Sequence, residues 1–396
     1  MAEGSGGVTS IAIFDYRILA SNPIGGCHRH MLAELSSDYD CTVFAVEFDN
    51  PSPQRIAFQR VPVPRRPLAL LFVAYHLMAP VCYWIYRLRH RKHFEVVQTV
   101  ESNLSFGTIA YTHFCHKAYL RRRVASPGRM NLRQWFRRLD HRLHAMLEPW
   151  IYSRVKHIVV PSQGIADELA REYPKARSKI CVIHNPVDTE SLRRPSDFNC
   201  ELVRLAFGWT KGDIVLVFVA LGHFERKGLP ILFEALRRVD KPCLKLLVVG
   251  GERGLVKKYK DRACRNGLGG RIAFTGNCED IRPYLWTADA FALASHYETF
   301  SLAAVEAAAA GLPVIAPLLY GIEEWLSDGR NGLVITPTPE SVAAALTRFL
   351  GLDQAAVTAM GARAAADVQR FGLALYAPQW RQFYDTLQKS SHGHLA

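Results

Sequence analysis

Several absences narrow this sequence before any motif is read. The nine cysteines are odd in number and contain no C-x-x-C pair, which argues against a secreted disulfide framework. The opening stretch MAEGSGGVTSIAIFDY has neither a basic n-region nor an uninterrupted apolar run, so no signal peptide is expected and the reducing cytosol is the default compartment. With 49% hydrophobic and 21% charged residues, the chain is too apolar to be disordered, and it lacks the repeats of collagen or coiled coil. Between Pro67 and Tyr86 there is no formal charge at all. That length suits a membrane span. A span, however, would place the strand expected at 9–15 and the one expected at 95–100 on opposite sides of a bilayer. A buried or interfacial helix is therefore expected instead.

What is present is charge of one sign in one place. Residues 1–190 carry 25 Lys and Arg against 16 Asp and Glu, while residues 191–396 carry 24 against 20. A basic first half points to an anionic partner or membrane surface on that side. Arg65, Arg66, Arg87, Arg89, Arg91 and Lys92 flank the uncharged segment, and eleven Lys or Arg lie within 117–156 among Trp135, Phe136, Met146 and Trp150. Segments 65–92 and 117–156 are accordingly expected to meet a membrane surface or an anionic acceptor. Nucleic acid is not expected, since no RNA- or DNA-binding motif accompanies the charge.

Apolar β-branched runs alternate with helical stretches almost throughout. Strands are predicted at 9–15, 41–47, 95–100, 109–114, 157–161 and 180–184, then at 214–220, 244–250, 272–275, 290–294, 313–316 and 333–336. Continuous apolar runs indicate strands covered on both faces, hence parallel sheets between helical layers. The fold class is α/β: two doubly wound, Rossmann-like domains, 1–190 and 191–370, facing across a cleft, with 371–396 a helix crossing back to the first. The polar, Pro-interrupted stretch 185–210 is the natural seam. Ligands in such sheets bind beyond the carboxyl ends of the strands.

Three motifs fall at those ends. In AFALASHYETFSLAAVEAAAAGLPVIAP (290–317), a strand leads to a loop holding Glu298 and then to a helix carrying Glu306. The two carboxylates lie too far apart to grip one atom. They can hold the ends of an extended ligand whose negative middle rests on the helix start. Arg226 and Lys227 precede the next predicted helix in GHFERKG, a guanidinium fork beside a point charge, both suited to phosphate oxygens. Gly25 and Gly26 follow the first strand, where glycine permits close backbone approach to a ligand. His90/His93, His113/His116 and Cys27-His28-Arg29-His30 have metal-like proximity, but no further ligand completes a site, and no metal is expected.

The spacing Glu298-x7-Glu306 resembles the signature of the retaining glycosyltransferases of family four, which have the GT-B fold. GHFERKG, the glycine pair, HNPVD at 184–188 and NGLVITP at 331–337 resemble the same family. GHFERKG is most similar to the form found in lipopolysaccharide-core glucosyltransferases. His223 stands where many members have arginine, and Thr299-Phe300-Ser301 replaces the usual glycine-phenylalanine-glycine. The resemblance implies a nucleotide-sugar donor, with Glu298 on the sugar hydroxyls, Glu306 on the ribose diol and Arg226 and Lys227 on the diphosphate. Phe300, Ser301, Leu302, Gly25 and Gly26 would complete the donor site, the latter through backbone amides. His113 would sit at the reacting carbon, with His116 its rival. The implied reaction is metal-independent hexosyl transfer to a lipid-linked or surface-polysaccharide acceptor, bound by the first domain, at the inner face of the cell membrane. A non-catalytic membrane or nucleic-acid adaptor, or a sugar-nucleotide epimerase, is the alternative.

Overall fold

The computed structural model describes residues 8–122 and 132–392. Part of the basic stretch expected to meet a surface, including Arg123 and Arg129, lies outside the described residues. The chain divides into two units: Met1–Asn185 with Ala374–Ala396, and Pro186–Leu373.

The first unit runs β1 (Ser10–Ile18), α1 (Pro23–Leu35), β2 (Asp40–Phe48), β3 (Ala57–Arg60), α2 (Leu68–His90), β4 (Val96–Val100), β5 (Ile109–Tyr111), α3 (His116–Arg122), α4 (Leu132–Arg154), β6 (His157–Val160), α5 (Gln163–Glu172) and β7 (Ile180–Val182). Its seven strands are ordered β3-β2-β1-β4-β5-β6-β7, and every pairing is parallel. Six of the seven coincide with apolar runs in the sequence. The seventh, β3, is a four-residue edge strand of alternating half-buried and exposed residues, too short and polar to show as a run.

The second unit runs α6 (Cys200–Ala206), β8 (Ile214–Val219), α7 (Leu229–Val239), β9 (Leu244–Val249), α8 (Arg253–Arg265), β10 (Ile272–Gly276), α9 (Arg282–Thr287), β11 (Ala290–Ala292), α10 (Leu302–Ala309), β12 (Val314–Ala316), β13 (Gly332–Val334), α11 (Pro339–Leu350) and α12 (Gln354–Asp367). The strand order is β10-β9-β8-β11-β12-β13, again wholly parallel. Strands such as Val215–Phe218 and Leu246–Val249 are fully buried, which is why they read as unbroken apolar stretches.

The last helix, α13 (Leu373–His392), belongs almost entirely to the first unit. Its Tyr376, Trp380 and Tyr384 join Ile11, Val43 and Tyr111 in one core. Tyr384 donates to Gln98 Oε1 at 2.7 Å, tying α13 to β4. On the sheet's other side, α2 buries Leu71, Tyr75, Ala79 and Tyr83 against Phe14 and Phe44. The Tyr75 hydroxyl donates to the Phe44 carbonyl at 2.7 Å.

In the second unit one backbone contact fixes where a strand end and a helix start meet. Gly228 caps α7 at φ +80°, and a Cβ there would lie 2.0 Å from the Ala294 carbonyl oxygen. Neither that dihedral nor that space admits a side chain. Gly228→Ala should therefore destabilise the protein by at least about 2 kcal/mol. Gly222→Ala, at a position with nothing within 4 Å of the added carbon, should be near neutral. Urea unfolding of the two variants checks this, and equal midpoints would contradict it.

Candidate active site

Strand order in the second unit turns back between β8 and β11, which are paired with Ala290 opposite Leu216. The crevice outside the carboxyl ends of two such strands is the usual ligand position in open α/β sheets. The loop leaving β8 is pinned by Phe224, fully buried and edge-on to Phe218 and Tyr259. Gly228 holds the loop's other end against Ala294. Between these anchors Arg226 and Lys227 turn toward the loop that leaves β11.

There Lys227 Nζ lies 2.8 Å from Glu298 Oε1, and an Arg226 guanidinium nitrogen lies 3.9 Å from the same oxygen. Arg226 also donates to the Tyr297 carbonyl at 2.6 Å. The Ser295 hydroxyl sits between the carbonyls of Arg226 and Tyr297, at 3.3 and 3.2 Å, so the two loops are stitched together by backbone as well as charge. The Glu298 side chain is only 7% exposed. A carboxylate so buried needs its cations, and two cations so close need their carboxylate.

Glu306 stands on the fifth residue of α10, about 6 Å along the axis from Leu302. Burial pushes its carboxyl up to about 7, against the pull of the Lys227 charge. One lysine thus acts on both acids. At the helix start Ser301 is the N-cap, yet its side chain makes no capping bond. Its buried hydroxyl has no hydrogen-bond partner, an orphan polar group at a helix N-terminus. Leu302, expected to offer its amide outward, donates it to the Phe300 carbonyl at 3.1 Å. Phe300 packs edge-on to Phe371, ring centroids 5.3 Å apart, and over Gly321, where a Cβ would come within 2.9 Å of its ring.

In the first unit the glycine pair lies inside α1, in its first turn. The Gly25 amide faces Asn22 Oδ1 at 3.4 Å, and that of Gly26 donates to the Asn22 carbonyl at 2.6 Å. Both amides are thus engaged by the helix start. Gly25 is needed for packing, since a Cβ there would sit 2.7 Å from the Arg17 carbonyl oxygen.

His113 and His116 differ sharply. His113 Nε2 is 3.2 Å from Asn185 Oδ1, which also takes the Tyr111 hydroxyl at 3.0 Å; the Tyr111 hydroxyl lies 3.1 Å from that of Tyr376. An amide oxygen only accepts, so Nε2 carries the proton and Nδ1 is bare. Nδ1 is buried without a partner. Burial, and the neighbouring His28, push the His113 pKa down to about 3, so the ring is neutral. His116 uses both nitrogens, on Glu101 Oε2 at 3.0 Å and on His141 Nδ1 at 3.0 Å. Burial alone would lower its pKa, but Glu101, Glu148 and Asp140 hold it raised. Asn185, Tyr111 and Tyr376 were not singled out from sequence. Asn185 lies in the HNPVD motif, which was the available signal.

Among the described residues one cluster could hold a cation: Glu101, His116 and His144, with ligand atoms within 4.8 Å of one another. The two imidazoles are stacked 4.2 Å apart at 13°, so their lone pairs run in nearly parallel planes and do not converge on one ion. Ser102 holds His144 Nδ1 at 2.6 Å. Sequence proximity had suggested other pairs because this grouping draws on three separate segments.

Two family models match the chain in succession: "Glycosyltransferase Family 4" over residues 28–191 and "Glycosyl transferases group 1" over residues 213–351. The chain belongs to the family 4 glycosyltransferases. It is 36% identical over 120 residues to the lipopolysaccharide core biosynthesis glycosyltransferase LpsE of Rhizobium meliloti, covering 30% of this chain and 34% of that protein. The chain spans about half or less of the length of the curated relatives it matches. In fold it resembles sucrose-phosphate synthase from Thermosynechococcus elongatus, with TM-score 0.77, 19% identity, and 96% of this chain covered against 100% of that one. It also resembles Anabaena HepE in complex with UDP and glucose, with TM-score 0.69, 19% identity, and coverage of 95% and 99%. These place both units in the GT-B class of parallel α/β folds.

The raised pKa of Glu306 gives a signed expectation. A ribose diol donates hydrogen bonds to a carboxylate, so binding favours the ionised form. If Glu306 holds the ribose diol of a nucleotide, as the family resemblance implies, nucleotide affinity should rise as pH increases through about 7, and Glu306→Gln should flatten that rise. Calorimetric titration of both proteins from pH 6 to 8 tests it, and parallel pH profiles would refute the assignment.

Proposed function

We propose that this chain is a retaining hexosyltransferase that takes its sugar from a UDP- or GDP-sugar and passes it to a lipid-linked or surface-polysaccharide glycan acceptor. The observation that carries the reading is the meeting of Arg226, Lys227 and Glu298 where β8 and β11 end, with Glu306 within reach of the same lysine's charge. Two cations held by one acid are poised to exchange partners. A diphosphate entering beside them supplies negative charge in place of Glu298, which is freed to accept from sugar hydroxyls.

The chemistry follows from where charge develops. As the bond between the anomeric carbon and the diphosphate oxygen breaks, the carbon gains positive character and the leaving oxygen gains negative charge. Arg226, Lys227 and the α10 N-terminus with the Ser301 hydroxyl stabilise the latter without reorganising. Fixed cations then do what a divalent metal does elsewhere, and no metal is proposed for the step. The acceptor oxygen attacks on the face the diphosphate leaves, and its proton passes to the departing phosphate oxygen. A neutral His113 with a bare Nδ1 is suited to accept a hydrogen bond rather than to transfer a proton. We further propose that the first unit binds the acceptor and that the enzyme works at the cytoplasmic face of the membrane.

Two similar proteins support this reading in outline. LpsE is a lipopolysaccharide core enzyme, and HepE is seen with UDP and glucose. A thermal-shift panel of nucleotide sugars should single out a donor, because tight ligands raise the melting temperature by mass action. Glu306→Ala should weaken binding of the matching nucleotide roughly tenfold or more, the loss of hydrogen bonds to a charged acceptor. Glu298→Gln should lower donor turnover by about a hundredfold or more while nucleotide affinity changes little. A protein that binds neither UDP nor GDP at millimolar concentration is not this enzyme.

A further inference from the structure

Helix α2 has two unlike faces. Phe72, Tyr75, Ala79 and Tyr83 are buried in the first unit's core. Opposite them, Leu70, Val73, Leu77, Trp84, Ile85 and Leu88 are 49, 44, 67, 54, 58 and 79% exposed. With Val81, 47% exposed, between Leu77 and the adjacent Trp84 and Ile85, steps of three and four residues put these side chains in one row along the helix. Soluble proteins seldom leave so long an apolar row open to water.

The ends of that row are uniformly basic. Arg65 and Arg66 precede the helix, Arg87, Arg89, Arg91 and Lys92 close it, and no acidic residue occurs from 65 to 92. The Arg87 guanidinium lies 4.7 Å from the centre of the Trp84 ring. An indole beneath an arginine suits the boundary between acyl chains and headgroups. Helix α4, packed on α2, carries exposed Trp150 beneath Arg154 at 3.9 Å.

We propose that the outer face of α2 docks the protein in the plane of an anionic lipid bilayer, its apolar row inserted and its arginines on the headgroups. With 23 residues the helix is long and apolar enough to cross a membrane. Crossing would strip Tyr75 from the Phe44 carbonyl and expose the aromatic core that α2 shares with β1 and β2. A second copy of the chain fits the face poorly. A two-fold interface brings like patches together, and here that would oppose two basic collars; Glu47 and Asp40 pair with Arg65 and Lys92, which leaves Arg66, Arg87, Arg89 and Arg91 without an acidic partner among the described residues. Lipid of opposite sign meets both features at once.

The docking draws on the transferase reading only for its use, which is to bring the first unit to a lipid-borne acceptor. The test is therefore kept separate from donor binding. The full chain should co-sediment with phosphatidylcholine vesicles containing phosphatidylglycerol, sediment far less with phosphatidylcholine alone, and be released by salt. Leu77→Glu with Leu88→Glu, both at exposed positions, should lower the partition coefficient tenfold or more. Arg66→Ser with Arg89→Ser should lower it by about twenty-five-fold, at roughly fivefold per basic residue. Brominated acyl chains should quench indole fluorescence, with part of that quenching lost in Trp84→Phe. Nucleotide binding by all these variants should match the parent, so failure of docking and failure of the donor site can be told apart. Three outcomes would overturn the proposal. They are sedimentation indifferent to anionic lipid, a dimer dissolved by Leu77→Glu without vesicle binding, and membrane attachment that detergent alone releases.

Discussion

The candidate site depends on how closely two stretches of backbone can approach. Gly228 lies under the Ala294 carbonyl at a distance no side chain would permit, and that contact joins the loop after β8 to the loop after β11. Everything chemical in the second unit follows from it. Lys227 reaches Glu298, Arg226 reaches the Tyr297 carbonyl, and Ser295 bridges the two loops. Without the approach, the same residues would be solvated charges on neighbouring strand ends, worth little to one another.

Within that frame the charges are arranged as a substitution set. Each cation already has an anion or a carbonyl, so no bare charge is buried while the ligand is away. The buried Ser301 hydroxyl and the half-neutral Glu306 are the exceptions, and both lie along α10. Such unsatisfied or weakly held groups cost stability, and they tend to collect where a ligand completes them. The first unit shows the opposite strategy at His113. Its protonation is fixed in advance by Asn185, Tyr111 and burial, so its bare nitrogen does not titrate near neutrality.

Much of the fold was legible because both sheets are parallel and buried. Runs such as IVLVFV and LKLLVV cannot be mistaken for amphipathic helices, and twelve such runs coincide with strands. The miss, β3, is an edge strand whose pattern is set by one covered face rather than two. The pair Glu298 and Glu306 could be found from spacing, and Arg226 with Lys227 from adjacency. Their contact could not, because it depends on which strands are neighbours. The glycine pair was legible as a close approach but not as to what approaches. Gly25 makes room for the Arg17–Leu19 backbone, and Asn22 takes the amides. The tautomer of His113 was beyond sequence reading, since it is set by Asn185, 72 positions away, whose oxygen also takes the Tyr111 hydroxyl that meets Tyr376, 265 positions further along the chain.

That long separation bears on how the protein is made. Trp380 and Tyr384, wholly buried, fill the core of the first unit from the far end of the chain. As the polypeptide leaves the ribosome, the first sheet emerges early but lacks the helix that covers part of its hydrophobic face. The second unit, continuous in sequence, can close before it. Assembly order thus runs against synthesis order, and the nascent first unit must wait, partly uncovered, until α13 has been translated.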